Sequence, residues 1–155
     1  MNAMVPHRGG APVGYLTELG PVEAGAVLYL RLWCDGPDAQ AQVWNDFATA
    51  LGSEGGRKAL KSFECLCDMC VRHGRRPLMR HHVTCKCLGA DESCFANFIG
   101  YASEGEREDA LLIATTIVRP DMAPSLVGLA QDFGLALKRM AIKANQPITR
   151  PTTLH

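Results

Sequence analysis

The chain has 155 residues, of which 47% are hydrophobic and 21% charged, and its formal net charge is zero. This length and composition fit one soluble globular domain that buries a core without disulfide bonds. The balanced charge gives no global electrostatic reason to expect nucleic acid or a membrane as partner. The longest apolar runs, 26–30 and 110–118, are far shorter than the roughly 20 residues that a membrane span needs.

The chain also lacks the pattern of a secreted protein. Its N-terminal segment has no basic stretch followed by an apolar core, as a secretory signal has. The seven cysteines are an odd number, and the spacings CxC and CxxC in such a chain favour thiolates over disulfides. We therefore predict a cytoplasmic protein.

The first predicted elements are an arm and a helix. Residues 1–19 contain several Gly and Pro and few apolar residues in register, which indicates a flexible N-terminal arm. A helix is predicted from Pro21, with Gly20 as its cap and Gly36 as its stop. Its apolar residues recur at helical spacing, although the β-prone run 27–33 leaves a short strand as the alternative.

Helical signals continue along the chain. Pro37 opens a second predicted helix, which the glycine-rich run 51–56 ends, and a third follows over 57–73. Beyond a long connection, further helices are predicted from a cap at Asp91, over 106–118 and over 123–144, before a loose polar tail at 146–155.

These elements predict a mostly α fold. We expect a compact bundle of about five or six helices in one domain over 20–145, with one metal-tied loop. The alternative is an α+β fold with short strands at 27–33 and 79–87, where apolar and polar residues alternate.

Cysteine and histidine are concentrated in one stretch. Six of the seven cysteines and three of the five histidines lie between Cys65 and Cys94. Two short-spaced cysteine pairs brought together by a loop are a usual way to build a tetrahedral zinc site. A connection as long as 74–90 without structure of its own is uncommon, and a metal would order it. We therefore predict a structural Zn²⁺ with four ligands: Cys67, Cys70, Cys85 and Cys87.

The ligand set stays open at this point. The alternate donors are His73, His81, His82 and Cys94. An iron–sulfur cluster is the alternative cofactor, because CxCxxC and CxC together supply enough thiolates, although the histidines favour zinc. Plain core packing explains Cys67 and Cys70 about as well as metal binding does, because both continue the apolar face of the third helix.

Charge is segregated around the same stretch. Between Val71 and Ala90 there is no acid, whereas the stretch from 91 to 109 is acidic. A loop fixed by zinc would present three arginines to a partner: Arg75, Arg76 and Arg80. We predict a binding or regulatory module whose partner is another protein or a second copy of the chain.

Two other classes of function are alternatives. A nucleic-acid-binding regulator would use the basic loop 72–86. A metal-dependent enzyme would need an open metal position beside three protein ligands. Because the sequence has neither HExxH nor the deaminase pattern, we assign no catalytic residue and expect a module rather than an enzyme.

Overall fold

The structure is a computed structural model, and it describes residues 8–145. Its helices are α1 Pro21–Trp33, α2 Pro37–His73, α3 Ala90–Ser103, α4 Arg107–Ile117 and α5 Ala123–Ala144; its strands are β1 Pro12–Tyr15 and β2 Cys87–Gly89. Short 3-10 helices, Arg8–Gly10 and Leu16–Glu18, flank β1. The predicted mostly α fold is confirmed. No helix in this described part is both long enough and apolar enough to cross a membrane.

The helices begin where local signals placed them. Proline occupies the first or second position of α1, α2 and α5, where its fixed φ suits a helix and its missing N–H costs nothing. The second and third predicted helices form α2, which is interrupted at Gly52 by a residue with φ 80° and ψ 167°. This interruption confirms the predicted break, although helical structure resumes at 53 rather than 57.

An aromatic cluster joins α2 to α5 at the centre of the core. Phe63 stacks on Phe133 with ring centroids 4.5 Å apart, and Phe47 lies 6.3 Å from both. All three side chains are fully buried, as are Phe95 and Phe98 on α3. Burying each such ring stabilises the fold by roughly 1.5–3 kcal/mol, so the cluster fixes α2, α3 and α5 around one core.

Of the two strand positions in the α+β alternative, 27–33 is helical and 79–87 overlaps an observed strand only at Cys87. The run 27–33 belongs to α1, and residues 79–86 contain no strand. Antiparallel β1 instead pairs with β2, with Tyr15 opposite Cys87 and Gly14 opposite Leu88. The β-prone run is helical and buried on most sides, because α1 packs against α2, α3 and α5. Its buried residues are Val27, Tyr29, Leu30, Arg31 and Leu32.

The N-terminal segment contributes to the fold from residue 8 onward. Although residues 1–19 are predicted to be a flexible arm, 8–18 form β1 and its two 3-10 helices, and Gly9 is buried against α3. An added Cβ at Gly9 would collide with the Asp91 carboxylate. Residues 1–7 and the predicted tail 146–155 lie outside the described residues.

Candidate ligand-binding cavity

The connecting segment (residues 74–89) is held by a buried ion pair. Arg31 on α1 donates from Nε and Nη2 to the two carboxylate oxygens of Glu92 on α3, at 2.5 and 2.9 Å. Both side chains are 0% exposed. Two buried charges are tolerated only when geometry and further hydrogen bonds offset their desolvation.

The remaining guanidinium donors of Arg31 bind backbone carbonyls of the connecting segment. Nη1 donates to the carbonyls of His82 and Cys85 at 3.1 and 2.7 Å, and Nη2 donates to that of Cys87 at 2.8 Å. The segment is therefore wrapped around one charged side chain from the last turn of α1.

The other partner, Glu92, binds the same segment from the α3 side. Its carboxylate accepts from the backbone amide of Gly89 at 3.0 Å and from that of His81 at 3.3 Å. Burial by itself raises the pKa of Glu92, but the hydrogen bonds and charge of Arg31 and these two amides outweigh it. The pKa of Glu92 is therefore lowered, and the carboxylate is ionised in the folded protein.

A second pair, also at the start of α3, ties down the first half of the segment. Arg76 donates from both terminal nitrogens to the carboxylate of Asp91 at 2.6 Å each, and the Met79 amide donates to it at 2.7 Å. Acids in the first turn also suit the helix dipole. Sequence reasoning placed Asp91 at the helix cap; in the structure Gly89 is the cap and α3 begins at Ala90.

A cavity of about 630 Å³ lies between this segment, α1 and the end of α2. Its inner wall is apolar and includes buried Leu30, Leu66 and Phe95. Exposed arginines lie on the outer wall: Arg75, Arg76 and Arg80. Two acids of α2, Glu64 and Asp68, also line it. The cavity thus combines an apolar interior with a mostly cationic rim.

Three thiols line the same cavity, on α2 and just after α1. Burial raises the pKa of Cys67, helped by the neighbouring thiols of Cys70 and Cys34 and opposed by the Arg80 charge. Burial and the Cys34 thiol raise the pKa of Cys70 to about 12. Because only a thiolate is a strong nucleophile, Cys67 and Cys70 are inert, weakly polar parts of the wall at neutral pH.

The predicted zinc ligands are divided between two places. Cys67 and Cys70 line the cavity, whereas Cys85 and Cys87 lie around the buried guanidinium. Nowhere in 8–145 are three or more His, Cys, Asp or Glu side chains arranged to hold a metal ion. A zinc site built from both cysteine pairs stays a prediction.

One alternate donor does approach a predicted ligand. The Nδ1 atom of His81 lies 3.7 Å from the Cys85 sulfur, and its Nε2 lies 2.9 Å from the Gly10 carbonyl oxygen. If Nε2 carries the proton, it donates to that carbonyl and leaves Nδ1 as an acceptor facing the thiol.

The other alternate metal donors contact different groups. The His82 ring lies 2.9 Å from the Thr84 hydroxyl, and the Cys94 sulfur lies 3.8 Å from the Thr116 hydroxyl. His73 is the last residue of α2 and is half-buried.

Sequence reasoning missed Arg31 and Cys34. Arg31 could have been found from its position inside the apolar run Val27 to Leu32, because a charge buried in such a run is rare unless it is paired. Its partner Glu92 was interpreted only as a first-turn acid, because 61 residues separate the two. Cys34 lies outside the cysteine-rich stretch, and only the fold brings it beside the α2 thiols.

Comparison of the chain with known protein families, with curated proteins and with solved structures gave no match.

Proposed function

We propose that the protein is a small binding module whose ligand joins an anionic group to an apolar body. The observation that carries this proposal is the cavity whose lining combines Arg75, Arg76 and Arg80 with an apolar interior. Its volume of about 630 Å³ is within the usual range of small-molecule sites, roughly 300–1,000 Å³. Arginine is the side chain best suited to carboxylate and phosphate groups.

The three arginines differ in their ion-pair and hydrogen-bond partners. Arg76 is paired with Asp91, so its charge is largely balanced. The Arg75 Nε donates to the Thr115 carbonyl at 2.7 Å, and the Arg80 Nη1 donates to the Leu78 carbonyl at 3.0 Å. Across the described chain, neither of these two forms an ion pair.

Arg75 and Arg80 therefore supply the charge for the ligand in this proposal. A carbonyl contact orients a guanidinium without neutralising it, and each leaves other N–H donors available. Arg76 instead positions the rim by fixing the segment on α3.

The same contacts favour a small ligand over nucleic acid. Of the four arginines in the basic loop 72–86, Arg72 pairs with Asp68 at 3.0 Å and Arg76 pairs with Asp91. Nucleic-acid affinity depends on several cations that neutralise successive phosphates, and here half of those arginines already face acids.

The proposal is tested with octanoate, octyl phosphate and 1-octanol as probes in isothermal titration calorimetry. We expect both anions to bind and the uncharged alcohol to bind at least about tenfold more weakly. The double variant R75Q/R80Q should lose that preference. The matched control is Lys86→Gln, because Lys86 is exposed on the same segment but does not line the cavity.

Two results would contradict the cavity as the site. One is equal affinity for the alcohol and the anions. The other is an equal loss of binding in K86Q and R75Q/R80Q, which would indicate non-specific charge attraction. Salt-sensitive binding of a short duplex DNA without binding of either anion would favour the nucleic-acid regulator instead.

A structural zinc in this module is a separate part of the proposal. The separation of 3.7 Å between His81 Nδ1 and the Cys85 sulfur is close to the roughly 3.6 Å expected between two ligands of one tetrahedral zinc. Cys87 follows two residues later. This supports Cys85, Cys87 and His81 as the donors to test first, with Cys67 and Cys70 as the second cysteine pair of the predicted ligand set.

Elemental analysis of the purified protein tests the zinc. One zinc per chain that is lost in C85S/C87S and retained in C67S/C70S would support a site in the connecting segment. Loss in both double variants would support the four-cysteine set. Wild-type protein without metal would remove both zinc and the iron–sulfur cluster from the proposal. Elemental analysis does not test the predicted cytoplasmic location, which stays a prediction.

A further inference from the structure

A second concave surface lies on the other side of α2, away from the cavity. It is a groove of about 830 Å³ between α2 and α5. Leu51, Leu135 and Ile142 contribute apolar surface to it, and Leu135 and Ile142 are 40% and 57% exposed. Exposed large apolar residues gathered in a groove with a polar rim are typical of a protein-binding surface.

The rim of this groove is strongly basic. Its charged residues are Lys58, Lys61, Arg139 and Lys143, against Asp132 alone. Lys61, Arg139 and Lys143 form no ion pair with any described residue. The groove therefore fits a partner surface that combines acids with apolar side chains.

Such a surface is present on α4 of the same chain. Glu106, Glu108 and Asp109 lie at its start, and they form no ion pair within the part of the chain that the structure describes. One turn later Leu112 is 68% exposed, and Leu111 beside it is 36% exposed. The outer face of α4 thus combines the acids and the exposed apolar residues that fit the groove.

The two surfaces belong to different sides of one molecule. α4 buries Ala110, Ala114 and Ile117 against α3 and α5, so its acidic and leucine-bearing residues face outward. On α5, the groove uses Leu135 and Arg139, whereas Lys138 points to Glu104, just before α4. Contact between α4 and the groove therefore requires two molecules.

We infer that a second copy of this chain binds in the groove between α2 and α5 through its α4. The contact joins two different surfaces, so it is heterologous, and repetition gives a ring or an open head-to-tail chain. This inference is independent of the ligand cavity, whose residues take no part in it.

Charge reversal at each surface provides the test. The groove variant is K61E/R139E and the α4 variant is E108K/D109K. All four positions are exposed, so neither variant changes a core side chain, and circular dichroism checks that α4 of E108K/D109K keeps its helix. Each variant carries like charges on its two surfaces, and we expect each to stay monomeric by sedimentation velocity. In an equal mixture, the acidic groove of the first variant can bind the basic α4 of the second. The basic groove of the second can likewise bind the acidic α4 of the first, so we expect association to return.

The wild-type chain supplies the reference. Its average mass should rise with concentration at low salt and fall back toward the monomer at about 1 M salt, where the screening length is about 3 Å. The single variant Leu112→Gln should weaken self-association by about tenfold or more. The matched control is Leu28→Gln, because Leu28 is 39% exposed on α1 and belongs to neither surface.

The inference is overturned by a wild-type chain that stays monomeric up to millimolar concentration. It is also overturned if the charge-reversed variants associate as the wild type does, or if their mixture fails to associate. A loss of association in L28Q equal to that in L112Q would place the contact elsewhere.

Discussion

At the scale of single residues, the buried pair Arg31–Glu92 makes a large contribution to stability. Both charges are fully buried, so removing one leaves the other without its partner in a desolvated site. We predict that Glu92→Gln lowers the free energy of unfolding by about 3–5 kcal/mol. Urea denaturation followed by circular dichroism measures this change.

An exposed ion pair supplies the control for that measurement. Glu104 pairs with Lys138 at 3.0 Å, and the two side chains are 62% and 41% exposed. Because such pairs contribute only about 0–1 kcal/mol, Glu104→Gln should change stability little. If both substitutions had equal small effects, the buried pair would not have the role assigned to it.

The lowered pKa of Glu92 predicts how stability depends on pH. A carboxylate whose pKa is lower in the folded than in the unfolded state contributes stability above its ordinary pKa, about 4.5, and loses that contribution as pH falls through the folded value. The free energy of unfolding should therefore decrease on acidification below about pH 4.5.

Urea titrations at a series of acidic pH values check this, with E92Q as the comparison. In E92Q the decline should be shallower, because the group that titrates is gone. An identical decline in both proteins would assign the acid sensitivity to other carboxylates.

At the scale of elements, the break in α2 depends on one glycine. Gly52 has φ 80° and ψ 167°, a region that is essentially reserved for glycine. Just beyond it, Gly56 lies so close to the backbone of Ala48 that an added Cβ would collide. The two arms of α2 therefore fold back on each other in a tight turn.

We predict that Gly52→Ala destabilises the protein by roughly 1–3 kcal/mol. No atom would obstruct the new Cβ, so the loss would come from the backbone alone. The matched control is Gly128→Ala inside α5, where the Cβ also meets open space and alanine should stabilise by about 0.5–1 kcal/mol. Thermal melting distinguishes the two, and equal shifts would contradict the backbone argument.

Helix starts could be predicted from the sequence, whereas strand pairing could not. The helices beginning at Pro21, Pro37 and 123 were placed within a residue or two because their caps and apolar spacing are local properties of the chain. The pairing of β1 with β2 was missed, because it joins segments some 70 residues apart, and nothing within either segment indicates its partner.

At the scale of the whole molecule, contacts with α1 and α3 order the connecting segment. The metal that the cysteine spacing predicts there stays a prediction. What the structure describes is that the segment binds the guanidinium of Arg31 from α1 and the carboxylates of Asp91 and Glu92 from α3. These contacts depend on the packing of α1 against α3, which a sequence reveals only once the fold is known. The same packing encloses the cavity beside Arg75 and Arg80.

The most direct test of this account is amide hydrogen exchange of the connecting segment, measured in the presence of a chelator. The His81 and Gly89 amides donate to Glu92, so we predict that they stay protected after chelation and lose protection in E92Q. The amides of α5 should stay protected in both cases. If chelation removes the protection in the wild type, and the E92Q variant keeps its protection, then a metal holds the segment and the account is contradicted.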